Sequence, residues 1–120
     1  MDITQYKRKE SHTVDIKDPH GQPTDIKVEI HGADSKEFRS RLADVARRYN
    51  DKFGEHNAIA ITSLAAVKSW ENVEGKDGPL DPESDEAMEI AGSDDFRWFF
   101  DQIWQVTNNR SLFFSKPGKS

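Results

Sequence analysis

The chain has 120 residues, 34% hydrophobic and 32% charged, with a net charge of -5, a mean hydropathy of -0.86 and no cysteine. At this length one domain can bury roughly two thirds of its unfolded surface, and the missing thiols exclude disulfides, thiolate metal sites and thiol catalysis. No apolar run approaches the roughly 18 residues of a membrane helix, and Met1 to Lys9 lacks the apolar stretch of a signal peptide, so a soluble protein of a reducing cytoplasm is expected.

The charge is unevenly spread. Residues 1–70 carry twelve basic and eleven acidic groups, and residues 96–120 carry four and one. Residues 71–95 carry ten acidic groups against the single Lys76. Such a block repels phosphate backbones and favours a basic or apolar partner. Nucleic acid is therefore not an expected partner, although Arg39, Arg41, Arg47 and Arg48 form a local basic cluster.

In chain order, residues 1–12 are polar and aperiodic and read as a flexible N-terminal arm. Thr13–Lys17 and Thr24–Ile30 alternate apolar and polar residues with β-branched side chains, the pattern of half-buried strands. Asp18-Pro19-His20-Gly21-Gln22-Pro23 joins them as a turn, giving a β-hairpin over 13–31 whose apolar face is Val14, Ile16, Ile26, Val28 and Ile30. That face must pack on something, because an isolated hairpin is only marginally stable.

Gly32 ends the hairpin, and Asp34-Ser35-Lys36-Glu37 opens a helix with a capping box. Phe38, Leu42, Val45, Ala46, Tyr49 and Phe53 fall on one stripe of it, and Gly54 is its stop. Asn57 caps a second helix over Ala58–Trp70, apolar nearly all round and hence central, although Ile59-Ala60-Ile61 also fits a strand. Glu71–Leu80 reads as an exposed loop. Asp81 at the N-cap and Pro82 at the first helical position start a short third helix that Gly92 closes. Ser93 caps the last, with Asp94 and Asp95 complementing its dipole.

Seven of the twelve aromatic residues lie between Phe96 and Phe114. Phe96, Phe99, Phe100, Ile103 and Thr107 share one helical face and read as core, with Trp104 and Val106 at its margins. Trp98 projects almost opposite Phe96, among polar residues, and is either exposed for a partner or buried. Leu112, Phe113 and Phe114 either clamp back on the core or form a short linear binding motif. Trp70 reads as core over the loop.

Nothing here carries catalysis. His12, His20, His31 and His56 lack metal-ligand spacing, and the acidic block does not follow a calcium loop. Gly118-Lys119-Ser120 lacks the rest of a phosphate-binding loop. No enzyme activity, cofactor or metal is expected. The fold expected is α+β, mostly helical with about four helices (34–109) and an N-terminal antiparallel hairpin, one domain over 13–114 before a polar tail at 115–120.

The order of features resembles a known family. Asp18-Pro19-x-Gly21-x-Pro23-Thr24-Asp25 is followed by a basic helix, a helix ending in Trp70, the loop Glu71-Asn72-Val73-Glu74-Gly75-Lys76-Asp77-Gly78, an acidic helix, and Asn109-Arg110-Ser111-x-Phe113-Phe114. Over residues 13–114 this is similar to the tail assembly chaperones (minor tail proteins) of long-tailed bacteriophages. The resemblance implies transient binding to the tape measure protein, recruitment of tail tube protein, residence in the host bacterial cytoplasm and absence from the mature virion. A longer product made by frameshifting near the C-terminus is a further implication. Trp70, Trp98, Leu112, Phe113 and Phe114 are the expected partner-binding residues, and self-association is possible. Two other classes stay open: a structural tail or head-tail connector subunit whose hairpin adds to a neighbour's sheet, and a small acidic inhibitor whose residues 71–95 mimic phosphates.

Overall fold

The computed structural model describes residues 1–53 and 58–114, without the side chains of 50–53. The fold is α+β. Strands β1 (His12–Lys17) and β2 (Pro23–Ile30) form the antiparallel hairpin, in register from His12 opposite Ile30 to Asp15 opposite Lys27. Its turn is held by the Asp18 carboxylate, which accepts the amides of His20 at 2.8 Å and Gln22 at 2.9 Å, while Gly21 takes a φ of +82°. Ile16, Val28 and Ile30 are buried and Val14 and Ile26 half-buried, so the alternating face points inward.

Helix α1 spans Lys36–Phe53. Its cap is Ser35, wholly buried, whose Oγ accepts the amide of Phe38 at 3.0 Å. Phe38, Val45 and Tyr49 are buried and Leu42 and Ala46 half-buried, as the stripe requires. The expected roles of Phe53, Gly54, His56, Asn57 and the tail 115–120 lie outside the described residues.

Helix α2 (Ala58–Ala66) is the central one: six of its nine residues are buried, and α1, α3 and α4 all pack against it. It is shorter than the sequence suggests. Residues Val67–Glu71 form strand β3, antiparallel to β2, with Trp70 opposite Val28 and Val67 near Ile30. Trp70 therefore sits on a sheet and not on a helix end. The alternation of buried Val67, exposed Lys68 and Ser69 and half-buried Trp70, with a register shift, suits the free edge of β2, and pairing there outweighs continuing the helix.

The stretch after β3 is a second small hairpin, not an unstructured loop. Strands β4 (Glu74–Gly75) and β5 (Gly78–Pro79) pair across Lys76-Asp77, with Gly78 at φ +113° and Asn72 at +65°. Leu80 then turns into the core. Helix α3 (Asp85–Ala91) starts three residues later than expected: Ser84 is the cap, accepting the amide of Ala87 at 3.1 Å. The Asp81 carboxylate instead accepts the amide of Glu83 and closes a turn.

A 3-10 turn at Asp94–Phe96, capped by Ser93, leads into α4 (Arg97–Thr107). Phe99, Phe100, Ile103 and Thr107 are buried as expected. Phe96 is not; it lies before the helix proper, off the extrapolated face, and is 39% exposed. Two buried hydroxyls tie α4 to the rest. Ser63 donates toward the Phe100 carbonyl at 3.0 Å, and Thr107 donates to the His31 carbonyl at 2.6 Å.

Candidate interaction groove

Trp70 on β3 and Trp98 on α4 lie 28 residues apart in sequence, yet both line one open groove of about 510 Å³. Its deepest residues are the buried Leu80, Phe99 and Phe100. Half-buried Ile26, Val73 and Ile90 extend the apolar surface, and exposed Phe96 stands at the mouth. The rings form a chain of contacts: Phe99 lies 5.8 Å from Trp70, 5.8 Å from Trp98 and 4.9 Å from Phe100, between centroids. These tilted and edge-to-face geometries are the preferred ones for aromatic pairs.

The polar groups around the groove are largely used to shape it. Trp70 Nε1 donates to the Leu80 carbonyl at 2.7 Å, which turns the indole along the small hairpin. Asn72 Nδ2 donates to the Asp25 carbonyl at 2.7 Å, fastening the start of that hairpin to β2. Glu86 on α3 accepts the Lys76 amide at 3.0 Å. Gly75 makes this approach possible, because a Cβ there would lie 2.7 Å from a Glu86 carboxylate oxygen. The opening therefore sits between α4 and a hairpin that is hydrogen-bonded to α3 and to β2.

Half of the ten acidic residues of 71–95 fall into two groups. Glu83 and Asp85 face α1: Arg41 reaches Glu83 at 2.6 Å, and Arg48 lies 4.0 Å from Asp85. Tyr49 donates to Asp85 at 2.9 Å, and burial together with that carboxylate pushes its phenol up from the ordinary value. Part of the basic cluster thus neutralises part of the acidic block, a contact between residues some 40 apart in sequence. The other group, Glu74, Glu86 and Glu89, lines the groove with Lys76.

The remaining expected site residues lie elsewhere. Phe113 is 2% exposed, its ring against Gly32, where a Cβ would come within 2.8 Å of the ring, and edge-on to His12 at 6.1 Å. Burial there also lowers the His12 imidazole pKa below its ordinary value. Phe113 is thus core, and its ring is not presented to a partner. Leu112 and Phe114 are half-buried, and Phe114 bridges Arg8 in an antiparallel contact. The Lys9 amide donates to the Phe113 carbonyl at 2.6 Å, so part of the 1–12 arm is pinned to the C-terminal segment. Phe96 and Ile90, absent from the sequence-based set, belong to the groove. Among the described residues no three His, Asp or Glu side chains gather as a metal ligand set. Comparison with protein-family models, curated proteins and solved structures gives no match.

Proposed function

We propose that this chain is a non-enzymatic binding protein that holds an apolar segment of a partner, and that it serves as a phage tail assembly chaperone. The observation that supports binding is the open groove in which Trp70, Trp98 and Phe99 meet beneath a carboxylate rim. An aromatic opening of this size suits insertion of side chains from an amphipathic helix. The tail-assembly assignment rests on the sequence resemblance over residues 13–114. On that reading the client is the tape measure protein, the recruited subunit is the tail tube protein, and the chain works in the host cytoplasm and leaves before the virion is complete.

The test is co-expression with the tape measure protein of the same genome, followed by pull-down and a solubility assay. Recovery of a soluble complex that Trp98→Ala weakens, with the variant folded by circular dichroism, is the expected result. A tape measure chain that stays insoluble and uncaptured overturns the tail-assembly assignment. Presence of the protein in purified particles would point to a structural subunit instead.

A further inference from the structure

Several carboxylates elsewhere on this protein form ion pairs: Asp15 with Lys27, Glu29 with Lys68, Asp34 with Arg110, Asp44 with Arg47, and Glu83 with Arg41. Two unpaired ones stand beside an apolar opening. Glu74 and Glu89 are exposed and, among the described residues, make no ion pair. Glu86 is already occupied by the Lys76 amide. The groove thus has an apolar interior, two free negative charges on opposite elements (Glu74 on β4 and Glu89 on α3) and one cation, Lys76.

Volume bears on the occupant. A helix about 10 Å across rising about 5.4 Å per turn sweeps on the order of 400 Å³ per turn. An opening of about 510 Å³ therefore accepts the side chains of a turn or two of a helix lying over it, and not a folded domain. The hydrogen bonds that fix the hairpin against α3 and β2 leave the groove formed before a partner arrives, which lowers the ordering cost of binding.

We propose that the groove selects an amphipathic helical segment of a partner protein whose apolar stripe is flanked by lysine or arginine, with Glu74 and Glu89 reading the basic flank. This deepens the binding role inferred above and rests on it. Apolar contact with Trp98, Phe99 and Ile90 holds the segment, and the rim charges choose among segments of equal hydrophobicity. Complementary charge favours the encounter, and a flank of like charge is repelled.

The test uses the full chain and two labelled helical peptides of roughly 18 residues, about five turns. Both carry the same leucine stripe, one flanked by lysines and one by glutamates, and binding is read by fluorescence anisotropy. The lysine-flanked peptide should bind about tenfold more tightly at low salt, and the gap should narrow as salt rises. Glu74→Gln with Glu89→Gln should remove most of that preference. Lys76→Gln should strengthen it, and Trp98→Ala should weaken both peptides. Asp15→Asn with Glu37→Gln removes the same charge from other surfaces and should leave the preference intact.

Equal binding of the two peptides, failure of the lysine-flanked peptide to bind, or an equal response to the remote pair of substitutions overturns the inference. The tail-assembly reading fails separately. If the tape measure protein is captured equally by the Glu74→Gln/Glu89→Gln protein, the charge selection is wrong and the chaperone stands. If the peptides are sorted by charge but no tape measure chain is captured, the selection stands and the assignment falls.

Discussion

The two aromatic regions of this molecule have similar compositions and opposite fates. Around Phe113 the backbone closes in: Gly32 lies against the ring, His12 meets it edge-on and Lys9 hydrogen-bonds to its carbonyl. Around Trp98 the chain stops short, leaving an opening of about 510 Å³ with a half-buried indole and an exposed Phe96. Counting aromatics does not distinguish the two. What does is whether a neighbouring backbone, stripped of its Cβ, occupies the space over the ring.

Breaking the closed region should have the largest effect. Phe113→Ala removes a fully enclosed ring and should cost about 3–5 kcal/mol in stability, read as a lower midpoint in denaturant unfolding. A loss under about 1 kcal/mol would mean that the site is not closed around the ring. Gly32→Ala attacks the same contact from the other side. With its new Cβ 2.8 Å from the Phe113 ring, either the ring or the backbone must shift. The expected cost is about 1–3 kcal/mol, the range for overpacking, and pairing it with Phe113→Leu should recover part of the loss by yielding space.

Local pattern made most of the architecture legible. Period two placed Ile16, Val28 and Ile30 inward, and period 3.6 did the same for Phe38, Val45, Tyr49, Phe99, Phe100 and Ile103. The groove was less legible because its parts depend on pairing. Val67–Glu71 continues an apolar helical pattern without a breaker, and only the free edge of β2 makes it a strand. The Asp77-Gly78 step is a hairpin signal that a composition-based loop reading passes over. Once β3 and that hairpin form, Trp70 and Trp98 meet, although neither spacing nor periodicity relates them. The split within the acidic block between α1 and the groove is hidden for the same reason. Glu83 and Glu86 are neighbours on the chain, yet one faces Arg41 and the other the Lys76 amide.

At the open region, truncation should separate stability from binding. Trp98 is half-buried and meets Phe99 edge-on, so Trp98→Ala should cost only about 1–2 kcal/mol in stability. Its effect on client recovery should be far greater, because it removes a wall of the groove. A variant that loses several kcal/mol would mean that the indole behaves as a second Phe113, and the contrast between the regions would fail.

The smallest effect belongs to the ion pair that flanks the closed region. Arg110 donates to both oxygens of Asp34, Nε at 2.6 Å and Nη2 at 3.1 Å, bridging the segment after β2 to the one after α4. The hydrogen bonds from Arg110 hold the Asp34 carboxyl below its ordinary value. Because the folded value lies below the unfolded one, the pair's contribution is fully present above the unfolded carboxyl range and is lost as pH falls through the folded value. Both side chains are substantially exposed, at 75% and 38%, so solvent and salt screen the contact. Asp34→Asn should therefore lower the unfolding midpoint slightly at neutral pH, and the two proteins should converge as the carboxyl protonates. A difference that persisted through the acid range would show that Asp34 acts through its shape and hydrogen bonds, and that the closed region owes its stability to the buried Phe113 ring rather than to the charges beside it.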